Sequence, residues 1–187
     1  MIREVILTML GTVALAGEQE LPANLYLTWE FPSEDMVKFS YYIPTKKLDQ
    51  WGWVGVGFKY EEDGVSMSNS DLVSINLQTD EILDRYAFLN EYPPTDDDWG
   101  GTDDLMSYEK SEVEDSTVYS WTRKMNTQDE YDNIFEKDKT YWVLWAYGDL
   151  DESGDISYHR RRGMQPFVLS EDFVGEESHT EFIDLHK

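Results

Sequence analysis

The segment Trp51-Gly52-Trp53-Val54-Gly55-Val56-Gly57-Phe58 constrains the fold more than any other part of the chain. Three glycines lie among β-branched and aromatic residues. Glycine is among the worst helix formers, and β-branched and aromatic side chains favour an extended backbone. Glycine inside a strand marks a place where another group comes close to the backbone. The segment therefore predicts a buried strand under close packing.

The same grammar recurs along the chain. Further strands are predicted over Leu25–Trp29, Met36–Ile43, Leu72–Leu77, Ile82–Phe88, Leu105–Ser111, Val118–Arg123, Tyr141–Tyr147 and Pro166–Leu169. Met36–Ile43 alternates in part, with Val37, Phe39 and Tyr41 against Lys38, Ser40 and Tyr42, which suits a half-buried strand. Acidic, turn-rich stretches separate these runs at Glu61–Gly64, Pro93–Asp104 and Asp149–Asp155. Only Thr127-Gln128-Asp129-Glu130 has the spacing of a helix start, ahead of Tyr131, Ile134 and Phe135. Many short strands with one helical turn predict an all-β, antiparallel, immunoglobulin-like β-sandwich of about ten strands.

The 187 residues fit one domain. Aromatics make up 14% of the chain, with seven Trp and twelve Tyr, so it has the means to fold despite a formal charge of −24. That charge repels nucleic-acid phosphates and anionic membranes, and it leaves cations, basic proteins and neutral ligands as partners. It also serves plain solubility. With no Cys, disulfides, thiolate metal sites and Cys nucleophiles are excluded.

Residues 1–16 read as a secretory signal peptide. Arg3 precedes an apolar run from Val5 that ends in Ala14-Leu15-Ala16, an A-x-A cleavage signal. The run is shorter than the ~20 residues that span a bilayer. A first core strand or a retained anchor is the other reading. The expected layout is a leader over 1–16, one domain over 17–172 and a polar tail over 173–187, with no membrane span once the leader is removed. A secreted or lumenal protein follows.

The order of motifs resembles the DOMON domain family, related to the N-terminal region of dopamine β-monooxygenase and to the cytochrome domain of cellobiose dehydrogenase. Trp51–Phe58 is similar to the family's glycine-rich strand. Met67-Ser68-Asn69-Ser70-Asp71-Leu72-Val73 is similar to the segment that follows it. Asp84-Arg85-Tyr86, Ser120-Trp121-Thr122-Arg123, Trp142–Gly148 and Tyr158-His159 with Gly163 complete a series covering about residues 25–170. The resemblance implies a sandwich that holds haem b or a sugar-like ligand, or that serves as an interaction module.

In haem-binding members a Met and a His are the axial ligands, and Met67 and His159 match them by position. Such a pair leaves no open site on the iron and suits electron transfer. His179 and His186 lie in the predicted tail, so His159 is the only histidine of the predicted domain. Read from the residues alone, Met67 is also a packing methionine of loop or core. His159, next to Arg160-Arg161-Arg162, is also a surface residue of a basic turn.

Asp149, Asp151, Ser153 and Asp155 have the early spacing of a calcium loop, with Gly154 at the sixth place. Arg160 stands where a bidentate Glu belongs, so an EF-hand is rejected and only a partial calcium site remains. Asp96-Asp97-Asp98 with Asp103-Asp104 reads as a solvated acidic loop. Signatures of hydrolases, zinc proteases and phosphate-binding loops are missing, and no catalytic function is expected. Two functions stand. One is a secreted haem b electron carrier for a basic redox partner protein. The other is a haem-free extracellular binding or assembly module recognising carbohydrate, calcium or another protein.

Overall fold

The computed structural model describes residues 16–176, so all but the last residue of the predicted signal peptide and most of the predicted tail lie outside the described residues. Eleven strands follow in order: β1 (Gly17–Leu21), β2 (Leu25–Ser33), β3 (Met36–Pro44), β4 (Trp53–Tyr60), β5 (Ser70–Asn76), β6 (Ile82–Ala87), β7 (Met106–Val113), β8 (Ser116–Lys124), β9 (Thr140–Gly148), β10 (Arg161–Val168) and β11 (Val174–Gly175). They form a six-stranded sheet in the order β11-β1-β2-β3-β8-β7 and a five-stranded sheet in the order β10-β9-β4-β5-β6. All pairings are antiparallel except β1 with β11. The fold is an all-β sandwich.

Alternation sends every second side chain into the space between the sheets. From β3 these are Val37, Phe39, Tyr41 and Ile43; from β4, Val54, Val56 and Phe58. Phe39 stacks on Phe58 across the sheets with ring centres 4.6 Å apart, and Phe135 packs edge-on against Phe58 at 5.2 Å.

The five-stranded sheet is covered on its outer side as well. Trp53, Leu144 and Met164 point away from the core yet are nearly buried. A strand covered on both faces has no reason to alternate, which is why β4 reads as a continuous apolar run.

Three expectations are corrected. Residues 127–130 form no helix, because local side chains take their backbone groups. Asp129 Oδ1 accepts from Tyr131 N at 2.9 Å and Gln128 N donates to Asn126 Oδ1 at 3.0 Å. The one α-helical turn is α1 (Asp96–Trp99), inside the acidic stretch, where Thr95 N donates to Asp98 Oδ2 at 3.3 Å. Second, that stretch is not a wholly solvated loop, since Asp96 is 1% exposed. Third, the segment predicted as a polar tail begins inside the fold: Phe173 stacks on Trp29 at 6.0 Å, and β11 pairs with β1.

Candidate functional site

Lys59 lies at the end of β4 with its side chain on the outer face, fully buried. Its ammonium donates to Ser66 O at 3.2 Å and to Ser68 O at 2.6 Å, which draws the segment around Met67 onto that face. Burial pushes the Lys59 ammonium below its ordinary pKa, against the upward pull of Asp63. Asn90 fixes Met67 further by accepting from its backbone N at 3.0 Å.

His159 reaches the same face from the opposite end. Gly148 makes this possible: a Cβ there would lie 2.6 Å from Trp53 Nε1 and 3.2 Å from His159 Cα. The indole and the His159 backbone therefore rest directly against the strand end. Arg160 N donates to Tyr147 O at 2.8 Å and holds the segment in place. Arg162 Nη1 lies 3.0 Å from His159 Nε2. Guanidinium only donates, so Nε2 accepts, and a metal ion at Nε2 would have to displace the Arg162 contact.

Met67 and His159 thus share one face of the five-stranded sheet and stand near its two ends. The six-residue step from Trp53 to Lys59 along β4 spans roughly 20 Å. Between them Trp53, Leu72, Leu144 and Met164 lie over the backbone of Gly55 and Gly57, beside Ser74 and the buried Arg85 on the same face. Trp53 Nε1 is buried without an acceptor among the described residues. The segment bearing a thioether thus borders this face at one end, and an imidazole beside basic side chains and a buried indole N–H borders it at the other. Met and His are residue types that hold haem iron, and with their segments this far apart along β4 they would meet one iron only if the two segments closed toward each other.

The predicted calcium loop does not gather its oxygens. Asp151 Oδ1 accepts from Ser153 N, Ser153 Oγ and Asp155 N at 2.8, 2.6 and 3.0 Å. Asp155 turns away to Arg85 Nη2 at 2.9 Å and to the Tyr92 hydroxyl. Asp149 pairs with Arg160 at 3.5 Å. The loop is a hairpin docked on the sheet through Arg85, which also binds Ser74 Oγ and Pro93 O at 2.8 Å. A cleft of about 290 Å³ lies there, lined by Arg85, Tyr92, Asp98 and Asp155.

A different group of carboxylates converges inside the sandwich. Asp71 of β5, Asp84 of β6 and Asp132 each bring an oxygen within 4.8 Å of the others. Arg123 of β8 approaches Asp71 at 2.5 Å and Asp132 at 3.2 Å. Desolvation, and then the charges of Asp71 and Asp132, push the Asp84 carboxyl up to about 10, and the same causes push Asp96 up to about 8. Sequence reading passed over this cluster, since its members are far apart in the chain among 39 acids. Asp71 and Asp84 do stand in the family-like segments noted above, but no spacing connects them.

The geometry defines an all-β sandwich module whose candidate ligands come from loops at the two ends of one covered sheet face. The chain belongs to the DOMON domain family, whose model matches residues 22–148. Its structure is similar to the cytochrome b domain of pyranose dehydrogenase from Coprinopsis cinerea, with a TM-score of 0.53 and 16% identity over 81% of this chain and 80% of that one. At that identity the likeness is one of fold. No curated protein matches the sequence. Among the described residues no helix is long and apolar enough to cross a membrane.

Proposed function

We propose that this DOMON domain is a secreted, haem b-binding electron carrier in which Met67 and His159 are the axial ligands. The observation that supports the reading is that the segments bearing Met67 and His159 border the same sheet face from its two ends. The likeness to a cytochrome b domain supports it. Haem held by Met and His exchanges single electrons and has no vacant coordination position for substrate.

The chain's own residues supply the rest. Trp53, Leu72, Leu144 and Met164 would border a bound macrocycle and keep water from it. The Trp53 indole N–H and the guanidinium of Arg162 beside His159 provide donors for anionic propionates. Lys59 holds the Met67 segment through Ser66 and Ser68. Secretion rests on the leader that ends in Ala14-Leu15-Ala16. The charge of −24 favours a basic redox partner protein, with encounter rates that fall as salt rises.

The test is the visible absorption spectrum of the purified protein, as isolated and after addition of haem and dithionite. A sharp Soret band with α and β bands on reduction is expected. A colourless protein that ignores added haem overturns the proposal and returns the search to carbohydrate or protein ligands.

A further inference from the structure

We infer that Asp71, Asp84 and Asp132 form a buried calcium site, on the core side of the five-stranded sheet and independent of the Met67 and His159 face. Oxygens bound to one calcium ion at about 2.4 Å are at most about 4.8 Å apart. The three carboxylates meet that limit as they stand.

A second observation points to a ligand. Asp71 and Asp84 are 1% and 3% exposed, and Asp71 Oδ1 and Asp84 Oδ1 receive no hydrogen bond, while Asp132 is contacted by Thr127 and Arg123. The remaining oxygens orient the side chains. Asp71 Oδ2 accepts from Arg123 Nη1 at 2.5 Å and from Asn133 N at 3.0 Å, while Asp84 Oδ2 accepts from Asp104 N at 3.1 Å. Asp132 Oδ1 is held in its ion pair with Arg123. Asp71 and Asp84 are thus each fixed on one side and offer a bare oxygen on the other. Buried polar atoms are almost always partnered, so several bare carboxylate oxygens in one place call for a cation.

Charge gives the same answer. Asp96 adds a fourth buried carboxylate, with both oxygens bare, and Arg123 is the guanidinium among them. Beyond that one guanidinium, compensation for these carboxyls has to come from protons or from a bound cation. With only oxygen donors from aspartates, the site suits a hard cation. Calcium gives up its water shell for protein oxygens readily, whereas magnesium keeps several waters. The ion would tie β5 and β6 to the segment after β8, where the two sheets meet through Arg123.

The full chain, dialysed against chelator, is titrated with Ca²⁺ by calorimetry and melted with and without the ion. One tight calcium per chain and a raised melting temperature are expected, with Mg²⁺ far less effective. Asp84→Asn keeps the acceptor for Asp104 N, removes one buried charge and should lose both the tight binding and the calcium-dependent shift. Asp132→Asn is the second variant should Asp84→Asn fail to fold. Asp151→Ala, in the exposed hairpin, should bind as the parent does. No tight binding by the chelated parent overturns the site. So does tight binding kept by either core variant, or lost in Asp151→Ala.

Discussion

Arg123 and Asp71 join the two sheets through a buried ion pair, Nη1 to Oδ2 at 2.5 Å, with each side chain 1% exposed. Arg123 Nη2 also donates to Asn133 O at 3.0 Å, so one guanidinium organises the chain after β8. Removing one partner of a buried pair leaves the other charge uncompensated, which costs about 3–5 kcal/mol. Arg123→Met is expected to lower the unfolding free energy obtained from a urea titration by that much. A change below about 1 kcal/mol would show that the pair contributes little.

His159→Ala is expected to fold normally and to lose the low-spin spectrum after haem addition. Met67→Ala should leave haem held by His159 alone, with a high-spin spectrum and a lower potential, because Met ligation raises the potential of the iron. A low-spin spectrum kept in Met67→Ala would shift the assignment to another sulfur. Met164, 7% exposed and on the same face, is the next to test.

Gly52 lies under the hairpin that follows β9. A Cβ there would meet the backbone N of Leu150 at 2.4 Å, and Gly52 N donates to Gly148 O at 2.8 Å. Backbone cannot swing aside as a side chain can. Gly52→Ala is expected to cost about 1–3 kcal/mol, as overpacking does. Amide exchange should be faster across residues 149–158, where the hairpin docks. Unchanged protection there would show that the strand end yields instead.

Asp80, in the turn between β5 and β6, bridges to the other sheet. Its Oδ1 accepts from Lys110 Nζ at 2.7 Å and from the Tyr119 hydroxyl at 2.6 Å. These hydrogen bonds hold its carboxyl below the ordinary value. The folded pKa is thus below the unfolded one, about 3.9. The contribution is complete above that unfolded value and is lost as pH falls through the folded one. Asp80→Asn should cost up to about 1 kcal/mol at neutral pH, given the exposure of the pair, and nothing in strong acid. An equal deficit at both extremes would assign the loss to packing rather than to charge.

Nine predicted strands each correspond to one observed strand, β2 to β10, because alternation and β-branched content act within a few residues. β1 escaped notice because Gly17-Glu18-Gln19-Glu20-Leu21 is mostly polar. It becomes a strand by pairing with β2, where Gly17 leaves room for the Trp29 indole: a Cβ would lie 2.2 Å from the ring. The helix was placed at Thr127 and occurs at Thr95. Both segments carry capping-type spacing, and contacts made elsewhere in the chain decide which one coils. Near Thr127, Asn133 is taken up by Asp71 and Phe58 O, at 3.0 and 2.8 Å.

The sandwich and the family were legible in the residues alone, because side-chain alternation and motif order are written locally. Tertiary structure alone decided which of many acids are buried and bare, and which of the loop carboxylates already have partners. Pairing β5 with β6 and laying β8 across them brings Asp71, Asp84 and Asp132 together from distant places in the chain. A carboxylate's chemistry depends on what surrounds it, and desolvation and neighbouring charge exist only once the sheets have closed.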